Sequence, residues 1–311
     1  MDNFVLFIFC FFLVLVPVAA GDFSFSMENH TGIITGLTQE YVYEGKKQIS
    51  RLEWEEKAVP YIHATLDFSW KYFFITGSAK TAIPLESGFM RNYDYLLPGS
   101  NALTNFSEHD VFLDRHNTYD IGIGYNFILK KWHIYPVFGF QYSNRKWTAK
   151  DGYLQYAVSG KPLQGNEPIN YITGSVISYE QKISFFYGFL AIGYKFFNRL
   201  LLDINFGFYP YVWAESMDNH IMRSIEFYDE MPGGVGGNLG LQIYYKPAFI
   251  KNIEFLLGFD YENFFKIMGK TSKRSSGVNT PATFSIIKNN NSAYDSKLWN
   301  IFIGVKFTME F

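Results

Sequence analysis

In the closing stretch IFIGVKFTMEF, Ile301, Ile303, Val305, Phe307, Met309 and Phe311 hold one parity; Phe302, Gly304, Lys306, Thr308 and Glu310 hold the other. A period of two sustained this long is a β-strand with one apolar face. IEFLLGFDYE (253–262), LLDINFGFY (201–209) and DIGIGYNF (120–127) repeat the pattern. A soluble sandwich also makes one-sided strands, so the connections must separate the two readings. Short turns fall near 70–72, 129–133, 196–199 and 247–252, and longer polar segments near 91–112, 151–170, 217–232 and 270–296. Alternating short and long connections predict an all-β fold, an up-and-down antiparallel transmembrane β-barrel. Pairing the runs gives about ten strands, several longer than the ~9–11 residues of a membrane crossing, so their ends extend above the membrane. Closure is required, because an open edge in lipid leaves backbone groups without partners.

The N-terminus adds a second element. Residues 4–18 are an apolar core, and Val18, Ala19 and Ala20 precede Gly21 as small residues precede a cleavage site. Residues 1–20 therefore read as a signal peptide and 21–311 as one barrel domain. The leading residues carry Asp2 and no Lys or Arg, which keeps a retained membrane anchor open as the alternative. Cleavage after Ala20 would remove Cys10, the chain's sole cysteine, leaving none for disulfides, catalysis or metal binding.

Composition narrows the classes. Aromatic residues make up 20% of the chain and the formal net charge is −2. So even a balance predicts neither a nucleic-acid binder nor a strongly acidic tail. After residue 20 no run approaches the ~18 apolar residues of a spanning helix. The histidines show no metal-ligand spacing, and His109 and His116 read as solvated loop residues. No cofactor motif appears, and the glycine-rich MPGGVGG (231–237) contains no lysine.

Three stretches carry a resemblance. GLTQEYVYEGKKQISRLEW (36–54), SGFMRNYDYL (87–96) and WAESMDNH (213–220) occur in this order. They resemble, respectively, the first hairpin, the Gly-Gly-Asn-Met-Val-Asp-x-Asp-Trp segment and the Glu-Ala-Ser-Asp-Asn-Asp-x-His segment of the omptin family, ten-stranded outer-membrane proteases of Gram-negative bacteria. The resemblance spans nearly the whole mature chain. It implies an aspartyl-type endopeptidase that cleaves extracellular polypeptides near basic residues, with its site facing the exterior. His220 would be the general base and Asp218 its orienting carboxylate, while Asp94 and Asn92 would hold the attacking water across the barrel mouth. Chemistry favours the pair independently, since a carboxylate beside a histidine keeps one tautomer and raises its basicity. Asn92 departs from the family's Asp and carries no charge.

The same resemblance implies a substrate groove of Glu40, Ser216, Met90, Ile177 and Glu108. Glu40 matches the acid of the first pocket, Ser216 stands where the family has a second acid, and Glu108 serves the residue after the cut. One charge in place of two should relax the demand for Arg or Lys. Lipopolysaccharide, which the family binds on its outer wall, is implied as a partner and activator. Lys182 matches one basic position there. Arg145 lies one residue from another, where Asn144 stands, and such a slip turns a strand side chain to the opposite face. A monomer is expected. Solvated strand ends are the plain alternative for Asp218 and His220. Counted from an outward Leu202, both would also face outward, so a lumenal site needs a bulge, which Pro210 permits. The competing function is a catalytically impaired barrel acting as surface adhesin or scaffold, motivated by the lost charges at Asn92 and Ser216; a small pore is a third.

Overall fold

The computed structural model describes residues 23–275 and 285–311, with backbone alone at 275 and 286–290. The segment read as a signal peptide lies outside the described residues. The strands are β1 (Phe23–Glu44), β2 (Lys47–Trp70), β3 (Phe73–Ala82), β4 (Leu85–Asp94), β5 (Asn105–Tyr125), β6 (Phe127–Leu129), β7 (Trp132–Tyr156), β8 (Asn170–Tyr171), β9 (Ser175–Phe197), β10 (Leu200–His220), β11 (Ile225–Tyr245), β12 (Ile253–Ser275) and β13 (Ser285–Glu310). The sole helical piece among the described residues is a 3-10 turn, Ile221–Arg223.

Every pairing is antiparallel. Walking from β1 through β2, β3 with β4, β5, β7, β9, β10, β11, β12 and β13 leads back to β1. The sheet is thus a closed ring of ten staves, with β3 and β4 sharing one stave and β6 and β8 as short additions. Closure gives every stave two partners, which lipid demands.

The turns on one rim match the sequence: Lys71–Tyr72, Lys130–Lys131, Asn198–Arg199 and 246–252. The opposite rim is tighter than expected. The segment 217–232 and, among the described residues, 270–275 and 285–296 are largely strand where loops are expected, and β10 returns into β11 through residues 221–224. Polar residues on both faces hid these strands, because above the membrane both faces meet polar surroundings. Staves of 21–26 residues are about twice what a tilted crossing needs. The β1–β2 turn is two residues long, and Gly45 takes φ +62°, as a hairpin turn with glycine at its first position requires.

An apolar belt encircles one half. Ile204, Phe206 and Phe208 on β10, Ile121 and Ile123 on β5, and Ile301 and Ile303 on β13 all project outward. The interior of the barrel is filled by polar side chains among buried apolar ones. His116 meets Glu56 at 3.0 Å, and Arg145 meets Glu262 at 3.2 Å and the Ser296 hydroxyl at 3.1 Å. His116 and His109 are therefore buried, not solvated; the His109 ring bonds the Asp151 carbonyl. Arg145 does not reach the outer wall. It is 1% exposed and points inward, because strand alternation puts Asn144 and Arg145 on opposite faces.

Arg145→Ala should strand Glu262 without its cation and lower barrel stability by about 3 kcal/mol, measured as a urea midpoint in detergent. A neutral result there, with weakened lipopolysaccharide binding, would contradict the inward placement.

Candidate active site

The polar end of β10 is where the alternation changes hands. Below Tyr209, odd residues face the lumen: Asp203, Asn205 and Tyr209 are buried. Above it, even residues do: Val212, Ala214, Ser216 and Asp218 are all at most 3% exposed. Register shifts between Phe208 and Tyr211 against β9, and between Tyr209 and Trp213 against β11, mark the bulge. Pro210 sits in it and has no N–H to give the ladder. One added residue turns the remaining strand over, so Asp218 and His220 face inward while Tyr211 and Trp213 stay on the outer wall.

His220 Nε2 lies 2.8 Å from Asp218 Oδ2. The carboxylate accepts the Nε2 proton, which leaves Nδ1 as the nitrogen able to take a proton. Phe227 meets the ring edge-on at 5.2 Å, and Ile177 is its cross-strand neighbour on β9. The floor beneath is aromatic. Trp54, Tyr179 and Trp147 stack pairwise at 5.4, 5.7 and 6.1 Å and are fully buried. Met90 and Leu52 pack in the same cluster.

Asp94 ends β4. Going round the ring, β5, β7 and β9 separate it from β10 on one side and β2, β1, β13, β12 and β11 on the other. Asp94 and the Asp218–His220 pair therefore stand on facing walls. Asn105 donates to Asp94 Oδ2 at 3.3 Å, and the Ser50 hydroxyl donates to Asn92 Oδ1 at 2.9 Å. The bond to Ser50 directs the Asn92 amide NH2 away from it. Glu108 is not in this group. It pairs with Arg91 at 2.7 Å, across from it in the β4–β5 register. Arg91 and Glu108 lie on the face opposite Met90, Asn92 and Asp94, by strand alternation.

Glu40 is 2% exposed and projects from β1 toward Asp218 and Asp229. Burial pushes its carboxyl well above the ordinary range, and the charges of Asp218 and Asp229 push it further. Asp229 was absent from the sequence reading. It faces Ser216 directly across the β10–β11 hairpin and accepts the Ser216 hydroxyl at 3.1 Å. Burial raises Asp229 to about 6, against the hydroxyls of Thr271 and Ser216 that favour its charge. The short turn after His220 could have revealed it, since a four-residue connection puts 216 and 229 opposite. The polar run 217–232 reads as a loop in the sequence. Lys182 is exposed on the outer wall, opposite Asn144 and Glu215.

A closed barrel with an apolar belt, a filled lumen and a buried acid–histidine pair at one rim defines a class: outer-membrane barrels that carry their site at the mouth. Within that class the family model described as Omptin family matches residues 22–309, and the chain belongs to the omptin family. Its outer-membrane location and its relationship to proteases follow from that membership. The fold is similar to that of the outer membrane protease OmpT from Escherichia coli, with TM-score 0.82 and 18% identity over 94% of this chain and 99% of that one. Neisserial surface protein A (TM-score 0.29, 7% identity, 91% and 96% covered) and OprG from Pseudomonas aeruginosa (0.34, 12%, 94% and 97%) are far more distant barrels. No curated protein matched the sequence.

The raised carboxyls set a pH dependence. A carboxyl raised by folding stabilises the fold below its unfolded pKa of about 4, and that contribution is lost as pH rises through about 6. Asp229→Asn removes the loss. The variant's stability advantage over the parent should grow by about 2 kcal/mol between pH 4 and 7, followed by urea unfolding; an advantage independent of pH would contradict the burial argument.

Proposed function

We propose that the protein is an outer-membrane endopeptidase that cleaves extracellular polypeptides near basic residues by attack of an activated water. The observation that carries this reading is the 2.8 Å bond between His220 and a carboxylate only 3% exposed, turned into the barrel mouth. His220 Nδ1 takes a proton from water, and Asp218 stabilises the imidazolium through Nε2–H. Asp94 on the facing wall and the Asn92 amide hold that water between the two sides. The water oxygen bonds to the peptide carbonyl carbon, the C–N bond breaks, and His220 returns the proton to the departing amine. Met90 and Ile177 give the groove apolar walls, and Glu40 offers a counterion to a basic side chain, with Ser216 beside it. The mouth faces the exterior, since short turns belong to the periplasmic rim.

Lipopolysaccharide is the proposed activator and outer-wall partner. Lys182 would meet its phosphates. In place of the inward Arg145, Arg115 and Lys146 stand opposite one another on the outer wall, lining a cavity of about 390 Å3 with Thr81, Pro84, Asp114 and Asn117. Each barrel holds a complete set of site residues, which supports a working monomer.

His220→Ala and Asp218→Ala should each lower kcat/KM on a dibasic fluorogenic peptide by about 10²–10⁴-fold, and Asn92→Asp should raise it. Absence of cleavage by the unaltered protein refolded with lipopolysaccharide would contradict the proposal and favour the adhesin or scaffold reading.

A further inference from the structure

The mouth contains more carboxyl groups than the reaction uses. Asp218 serves His220, but Glu40 and Asp229 have no cationic partner among the described residues. Glu40 Oε2 and Asp229 Oδ1 are buried atoms with no hydrogen-bond partner among the described residues. Each residue is 2% exposed. The groups closest to Asp229 are hydroxyls, of Ser216 at 3.1 Å and of Thr271 and Ser292. Around Glu40 stand Tyr179, Asp218 and Asp229. Two adjoining buried acids ionise together only when a cation joins them. The β12 and β13 staves behind them present the hydroxyls of Thr271 and Ser292, so a cation that ionises the pair would come from outside the chain.

We infer that Asp229, positioned by Ser216 from across the β10–β11 hairpin, is the second carboxylate of a pocket whose first is Glu40, and that the pair selects a Lys or Arg side chain beside the scissile bond. This rests on the endopeptidase reading. It corrects the expectation that Ser216 leaves the pocket with one charge. The charge has moved one strand over, and the serine that remains holds it in place. The pocket therefore keeps a strict demand for a cation, because a neutral side chain would leave both carboxylates buried without a partner.

The test uses the refolded full barrel with lipopolysaccharide and peptides that differ only in Arg, Lys or Gln before the cut. Asp229→Asn keeps the shape and can still accept the Ser216 hydroxyl. It should cut the Arg-over-Gln ratio of kcat/KM at least tenfold, chiefly through KM. The double change Ser216→Asp with Asp229→Ser returns the charge across the hairpin and should restore the ratio to within about threefold. An unchanged ratio in Asp229→Asn would overturn the inference while leaving the endopeptidase reading intact. Binding of argininamide, measured by calorimetry, gives a readout free of catalysis. If the parent cleaves no peptide yet binds argininamide at least tenfold more tightly than Asp229→Asn, the pocket stands and the endopeptidase reading falls. No binding by the parent, or equal binding by both, together with no cleavage, overturns both.

Discussion

The site depends on one extra residue in β10. A strand that alternates without interruption from Leu202 would put Asp218 and His220 on the outer wall, where neither could meet Asp94. The bulge at Tyr209–Val212 reverses the parity, and the reversal falls at the upper edge of the apolar belt. Below it, Phe206 and Phe208 face lipid while Asp203 and Asn205 fill the lumen; above it, Ser216 and Asp218 fill the mouth. The closed sheet then makes the reversal useful. With every stave held by two neighbours, β10 and β4 stay on facing walls, and a residue turned inward on one is aimed at the other.

The two halves of the lumen treat charge differently. Elsewhere inside the barrel, Arg145 is joined to Glu262, Glu56 to His116 and Glu28 to His30. Each of these acids has a side-chain partner within the chain. At the mouth, Glu40, Asp218 and Asp229 crowd together with a single histidine between them and solvent. What distinguishes the mouth is the gathering of three acids around one histidine, a cluster of the kind that functional sites hold. The aromatic floor of Trp54, Tyr179 and Trp147 separates the two regimes.

Much of this was legible in the sequence. One-sided alternation in the runs around residues 120, 203, 255 and 305 was enough for a lipid-facing barrel, because lipid imposes the apolar face. The requirement for a bulge near Pro210 also followed from parity, once Asp218 and His220 were placed inside. What stayed hidden lies above the membrane. There water meets the outer face and polar groups fill the inner one, so the period of two fades and strand reads as loop. That concealed Asp229, whose place depends on the length of the turn at 221–224. The same blindness put Glu108 in the groove, although its register partner Arg91 holds it on the outer face. Arg145 failed by a single step of strand alternation, which no local motif encodes.

The most direct test is the facing of β10 above the bulge. In a Cys10→Ser background, single cysteines at 213, 214, 215 and 216 would be probed on intact cells with a bulky membrane-impermeant maleimide. The account expects rapid labelling at 213 and 215 and protection at 214 and 216. The reverse pattern would put Asp218 and His220 on the outer wall and contradict the site.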